Sequence, residues 1–215
     1  MKILLLHAFP LDKRMWDPQR AALEGHELIA PRLYGRGKTM DAWAESVAGE
    51  IDGEVAVVGA SMGGYCALAL ARLAPERVRG LLLLGARPDA DSEERRAGRA
   101  DTIELIHSEG AEGLWRMMAP KLFHDEELAD ERLLYRDAEA LVGAVEAIRD
   151  RDDSTDVARS LSGRLQFAVG EFDPFVSAQE LAEFETHQLA GAGHLANLER
   201  PDEFNEILST FLRDV

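Results

Sequence analysis

A chain of 215 residues has room for one α/β domain with a sizeable core and requires no second domain. Its 40 acidic residues against 24 basic ones leave a formal charge of −16, which repels nucleic acid and anionic membranes and excludes both as expected partners. With 46% hydrophobic residues the chain is a folding one, and its single cysteine, Cys66, has no partner for an internal disulfide and reads as a small core residue.

Lys2 precedes an apolar run, Ile3 to Leu6, that is too short for a signal-peptide core. No stretch reaches the ~20 apolar residues of a membrane span, so a cytoplasmic protein is expected. The run reads as a buried strand, and it delivers the chain into His7-Ala8-Phe9-Pro10-Leu11, a loop that cannot be helical before its proline. Leu28 to Leu33 reads as a second strand, leading through the flexible Tyr34-Gly35-Arg36-Gly37-Lys38-Thr39 turn into a helix around Met40 to Ile51. Gly37-Lys38-Thr39 has the end of a phosphate loop without its beginning, because Arg32 stands where that motif needs its first glycine.

Val55 to Val58 suits a strand buried on both faces, while Tyr65, Ala67, Leu68 and Ala71 repeat at helical spacing. Between them lies Gly59-Ala60-Ser61-Met62-Gly63-Gly64, so Ser61 falls on a strand-to-helix turn. A hydroxyl held on such a turn projects above the sheet, and Gly59 and Gly63, two residues to either side, avoid a clash. The N–H of Met62 then lies in the first turn of a helix, where unpaired donors and the positive end of the dipole favour a developing oxyanion. Gly80 to Gly85 is another apolar run read as a buried strand. This alternation predicts a parallel sheet with right-handed crossovers, with ligands bound beyond the carboxyl ends of the strands.

Residues 88–160 break the rhythm: they are rich in Ala, Glu, Arg and Leu, carry the helix breakers Gly110, Gly113 and Pro120, and contain no convincing strand. They are expected to form a helical lid inserted into a core made of residues 1–87 and 161–215. Trp115, Met118 and Phe123, with Met117 and Leu122, concentrate apolar bulk there and are the candidate pocket residues, ordinary helix packing being the alternative for each. Arg164 to Val169 resumes the strand pattern and ends in the turn Gly170-Glu171-Phe172-Asp173-Pro174, after which a helix is expected. Gln188 to Ala190 leads into Gly191-Ala192-Gly193-His194, and Pro201 opens a last helix with Phe204, Ile207, Leu208 and Phe211 on one face.

A nucleophile, an acid and a base thus occur in the order Ser, Asp, His. His194, in a glycine-bracketed loop after a strand, is the candidate general base, and Asp173 the candidate acid that orients it. The N–H of Phe9, just before a proline that has none, is the candidate partner of the Met62 N–H in an oxyanion hole. Such a site carries acyl transfer to water and requires no metal or organic cofactor.

His7-Ala8-Phe9-Pro10 with Trp16 beyond it, Gly59-Ala60-Ser61-Met62-Gly63-Gly64, Gly170-Glu171-Phe172-Asp173 and Gly193-His194 resemble the α/β-hydrolase superfamily over almost the whole chain. Within it the chain is similar to the small carboxylesterases and 3-oxoadipate enol-lactonases. The resemblance implies a triad of Ser61, Asp173 and His194 with Phe9 and Met62 as oxyanion donors. Because the sequence starts directly at the strand that in the family normally follows an antiparallel pair, a pared-down sheet of about six, mainly parallel, strands is expected, flanked by helices and covered by a helical lid. Ala8 stands where the family usually has glycine, and Arg32 replaces a common acidic residue. The implied reaction is cleavage of a small-molecule ester. Enol-lactone, thioester and carbon–carbon bond hydrolysis use the same triad, and a non-catalytic receptor is the reading from another class. The acidic surface disfavours a multiply charged anionic substrate unless local arginines such as Arg32 or Arg116 override it.

Overall fold

A computed structural model describes residues 1–215. Six strands, β1 (Lys2–Leu6), β2 (Glu27–Ile29), β3 (Val55–Ala60), β4 (Val78–Leu84), β5 (Leu165–Gly170) and β6 (Glu185–Leu189), form one sheet in the order β2-β1-β3-β4-β5-β6. Every neighbouring pair is parallel. All residues of β3 and β5 are buried, as expected of strands covered on both faces, and β5 includes one polar residue, Gln166, whose amide oxygen pairs with the His187 ring at 3.2 Å.

The covering helices are amphipathic or wholly apolar according to their place. Helix α1 (Met40–Glu50) is capped by the Thr39 hydroxyl, which accepts the Ala42 N–H at 3.1 Å. Helix α2 (Met62–Leu73) packs against α1, and its residues from Met62 to Ala71 are all buried. Cys66 lies in this buried stretch, where desolvation pushes its thiol up to about 12, so it is a neutral core group at ordinary pH. Two more helices follow β6: the short α6 (Ala196–Glu199), which closes the loop after the sheet, and α7 (Pro201–Asp214), which buries Phe204, Leu208 and Phe211.

Between β4 and β5 the chain is helical: α3 (Glu93–Leu122), α4 (Ala138–Arg149) and α5 (Thr155–Ser160). Of the three expected breakers in this region, only Gly110 breaks the backbone. Its φ of +67° divides α3 into two helices meeting at a kink, whereas Gly113 and Pro120 lie within the helical run. The buried Asp91 carboxylate joins this region internally, accepting from Arg151 at 2.7 Å and Arg99 at 3.1 Å. Arg151 also lies over the Tyr65 ring of α2, 4.1 Å from its centroid. No helix is long and apolar enough to cross a membrane.

Two elements differ from the expectation. Strand β2 ends at Ile29 rather than Leu33, because Pro31 has no N–H for a ladder and the Leu33 N–H is taken by the His7 ring at 3.0 Å. The helix expected after Asp173 is absent, and the chain runs through turns to β6. Asp173 Oδ1 captures the N–H groups of Phe175 and Val176 at 2.8 and 3.3 Å, holding the backbone in an Asx-type turn instead of releasing it to a helix.

Candidate active site

Ser61 sits between β3 and α2 with φ +49° and ψ −111°, the only non-glycine residue with positive φ. Such a conformation persists only where its surroundings hold it. Here the Ser61 N–H donates to the Leu84 carbonyl of β4 at 2.7 Å, and its carbonyl accepts from Gly64 and Tyr65 as α2 begins. Gly63 explains why the turn needs a glycine: a Cβ there would lie 2.1 Å from the Leu6 carbonyl oxygen. The start of α2 is therefore pressed against the end of β1. Met62 opens that helix, where a helix leaves its first N–H groups without internal acceptors.

The loop after β1 meets this point from the other side. The Phe9 N–H has no acceptor within the protein, although the residue is only 4% exposed. Its neighbours are fixed: the Ala8 N–H donates to Met15 Sδ at 3.1 Å, and the Leu11 N–H to the Ala8 carbonyl at 3.0 Å. His7 stays out of the cleft. It is fully buried, its Nε2 accepts the Leu33 N–H, and desolvation lowers its pKa from 6.5 to about 4. It is a neutral tie between the β1 and β2 ends.

Asp173 and His194 follow β5 and β6 and are brought together by those strands. Asp173 Oδ2 accepts from His194 Nδ1 at 2.8 Å, while Oδ1 is held by the two backbone N–H groups of its turn. The two loops are stitched by the Phe172 N–H donating to the Ala192 carbonyl at 2.8 Å and the Gly191 N–H donating to the Glu171 carboxylate at 2.9 Å. Both side chains of the pair are withdrawn from water. The imidazole lies against Gly85, where a Cβ would stand 2.8 Å from its Cε1, and Gly85 directly follows the residue whose carbonyl holds Ser61. Phe175 packs edge-on to the ring at 4.7 Å. Ser61 and His194 are not hydrogen-bonded in this resting arrangement, a contact that substrate-free sites often leave long.

A cavity of about 550 Å³ opens beside this pair, lined by Asp173, Phe175, Val176, Met117 and Met118. Of the three pocket residues expected from sequence, the structure brings only Met118 to it. Trp115 and Phe123, which follows the last residue of α3, instead pack against one another in the core with ring centroids 6.4 Å apart. The cavity's cations are Arg87, Arg95, Arg99 and Lys121. Arg116 instead pairs with Glu109, and Arg32 lines a separate hollow beside His7. Sequence reasoning missed Glu199, whose buried carboxylate accepts the Gly193 N–H at 2.6 Å, and Arg200, which donates to the Ala190 and Gly191 carbonyls. The only signal for Glu199 was a lone acid ending an apolar segment five residues after His194.

The sequence matches the family described as "Alpha/beta hydrolase family" over residues 3–207. The chain belongs to the alpha/beta hydrolase family. Among relatives of this hydrolase, a pimeloyl-[acyl-carrier protein] methyl ester esterase of Aromatoleum aromaticum is 34% identical over 93 residues. That stretch covers 40% of this chain and 37% of the relative, a little over a third of its length. Similar solved structures are more extensive. A thermophilic esterase from Thermogutta terrifontis is 30% identical, with a TM-score of 0.88 over 99% of this hydrolase and 89% of that chain. An enol-lactonase from Burkholderia xenovorans is 25% identical, with a TM-score of 0.84 over 99% and 91%.

Proposed function

We propose that this alpha/beta hydrolase cleaves a small carboxylic ester through an acyl-enzyme on Ser61. The family match and the likeness to an esterase and an enol-lactonase support hydrolysis of ester bonds. His194 takes the Ser61 proton as the oxygen attacks the ester carbonyl, and Asp173 holds the imidazole in the tautomer with its proton on Nδ1. The Phe9 and Met62 N–H groups receive the oxyanion, worth a few kcal/mol for each donor. His194 then protonates the departing alcohol, and water releases the acid by the same two steps. Residues 88–160 act as the lid, with Met118 against the acyl or alcohol group.

The observation that carries this reading is the buried 2.8 Å bond from His194 to Asp173 Oδ2, with Oδ1 fixed by two N–H donors. An imidazole so held has one nitrogen committed and the other free for a hydroxyl proton. The test is turnover of short-chain p-nitrophenyl esters and of an enol-lactone by the wild type and by Ser61→Ala. Loss of turnover in the variant is expected. Equal turnover by the two proteins contradicts the reading, and negligible turnover by both favours a receptor that retains the triad without using it.

A further inference from the structure

Glu199 ends α6 and is 5% exposed, an unusual place for a carboxylate without a cation. It accepts three backbone N–H groups: His124 and Asp125 on Oε1, both at 2.8 Å, and Gly193 on Oε2 at 2.6 Å. Hydrogen bonds to an ionised acceptor are the stronger kind, and a buried carboxylate shared by two segments locks both. On the other side of His194, the Leu195 N–H donates to the Leu122 carbonyl at 3.0 Å. The N–H groups on either side of His194 are thus both tied to residues 122–125, one directly and one through Glu199. The approach is tight, since a Cβ on Gly193 would lie 2.7 Å from the His124 nitrogen. His124 also stacks on Phe172, the residue before Asp173, with ring centroids 4.0 Å apart.

We infer that Glu199 is a positioning residue that fixes the His194 loop to the end of α3, so that the imidazole's placement over Ser61 depends on where the last turn of that helix sits. The inference rests on the reading of His194 as the general base. It makes the region between β4 and β5 a mechanical support of the base as well as a wall of the cavity.

Glu199→Gln tests it, because whichever way the amide lies, its NH2 faces at least one of the three N–H donors. In variant protein shown to be folded by circular dichroism, kcat per fluorophosphonate-titrated site is expected to fall about 10- to 100-fold, as misplacement of a reacting group does. KM stays within about twofold, because no substrate contact is removed. The rate of fluorophosphonate labelling falls in parallel, since it reads base-assisted attack by Ser61. Asp125→Pro is the second variant: Asp125 is exposed, has φ −94°, and loses one donor to Glu199 while the carboxylate remains. A smaller fall in kcat of about threefold, again at constant KM, is expected from it, in keeping with one lost hydrogen bond. A folded Glu199→Gln with wild-type kcat per site and labelling rate overturns the inference. Should that variant fail to fold, Asp125→Pro with wild-type values does the same. Turnover surviving in Ser61→Ala removes the reading of Ser61 as the nucleophile, an outcome distinct from either.

Discussion

At the carboxyl ends of β3, β5 and β6 the chain is positioned by backbone contacts that leave no slack, whereas α3 and α4 pack on each other and on the rest through buried apolar side chains such as Ile106, Leu114, Leu141 and Val145, with charged pairs around them. Gly63 touches the Leu6 carbonyl, and a Cβ on Gly170 would lie 2.0 Å from the Gly193 carbonyl oxygen. The polar ties of the helical region are pairs such as Arg96–Asp150 and Arg136–Glu112, with half-exposed partners, and one buried cluster around Asp91. Backbone contacts at van der Waals distance tolerate no substitution and fix a geometry, while exposed ion pairs are individually weak and rearrange easily. The contrast puts the candidate catalytic residues among close backbone contacts and the cavity wall on a helix held by side-chain packing, with Glu199 at the junction.

The largest expected effect is at the rim. Asp173→Asn keeps the volume of the side chain but stabilises the wrong His194 tautomer, and kcat should fall about 10⁴-fold with little change in melting temperature. A kcat within about tenfold of wild type would mean that the His194–Asp173 bond is structural only. In the helical region the largest effect is on stability instead. Asp91→Asn leaves the buried Arg151 guanidinium without its carboxylate, at a cost of about 3–5 kcal/mol in urea unfolding. Its kcat should stay near wild type while selectivity among acyl chains changes, and unchanged stability would mean that the cluster contributes nothing.

A pH-dependent effect of intermediate size comes from His7. Because its pKa is about 4 in the folded protein against 6.5 otherwise, the unfolded chain takes up the proton first as pH falls. Its contribution is complete above pH 6.5 and is lost as pH drops towards 4, about 3 kcal/mol across that window. His7→Gln keeps an acceptor for the Leu33 N–H and should lose about 3 kcal/mol less than wild type between pH 7 and pH 4, measured by urea unfolding. Equal losses in the two proteins would show that the acid sensitivity lies elsewhere. The smallest effect belongs to the exposed pairs: Arg96→Ala should change stability by less than about 1 kcal/mol and leave kcat untouched.

The contrast also explains what was legible in the sequence. The strands β1 and β3 announced themselves through the apolar runs Ile3 to Leu6 and Val55 to Val58, and the turn at Ser61 as a serine between glycines, because local sterics dictate both. That Asp173 and His194 meet was readable from their places after strands, since a parallel sheet delivers all its carboxyl ends to one side. The side chains of the helical region were less so. Trp115, Met118 and Phe123 share one apolar stretch, and which of them faces the cavity depends on how α3 is rotated after its break at Gly110, a property of packing rather than of pattern. The helix expected after Pro174 was lost to the Asp173 carboxylate, a side-chain competitor invisible to periodicity. Glu199 was missed because two of its three backbone N–H partners come from residues about 75 positions away, which no local motif encodes.

Whether Ser61 Oγ is the atom that carries the acyl group is tested most directly by the site of covalent modification. Wild-type protein treated with a fluorophosphonate should gain one adduct by intact mass, located on Ser61 by peptide mapping, and His194→Ala should label far more slowly. An adduct on any other residue, or labelling of His194→Ala at the wild-type rate, would contradict it.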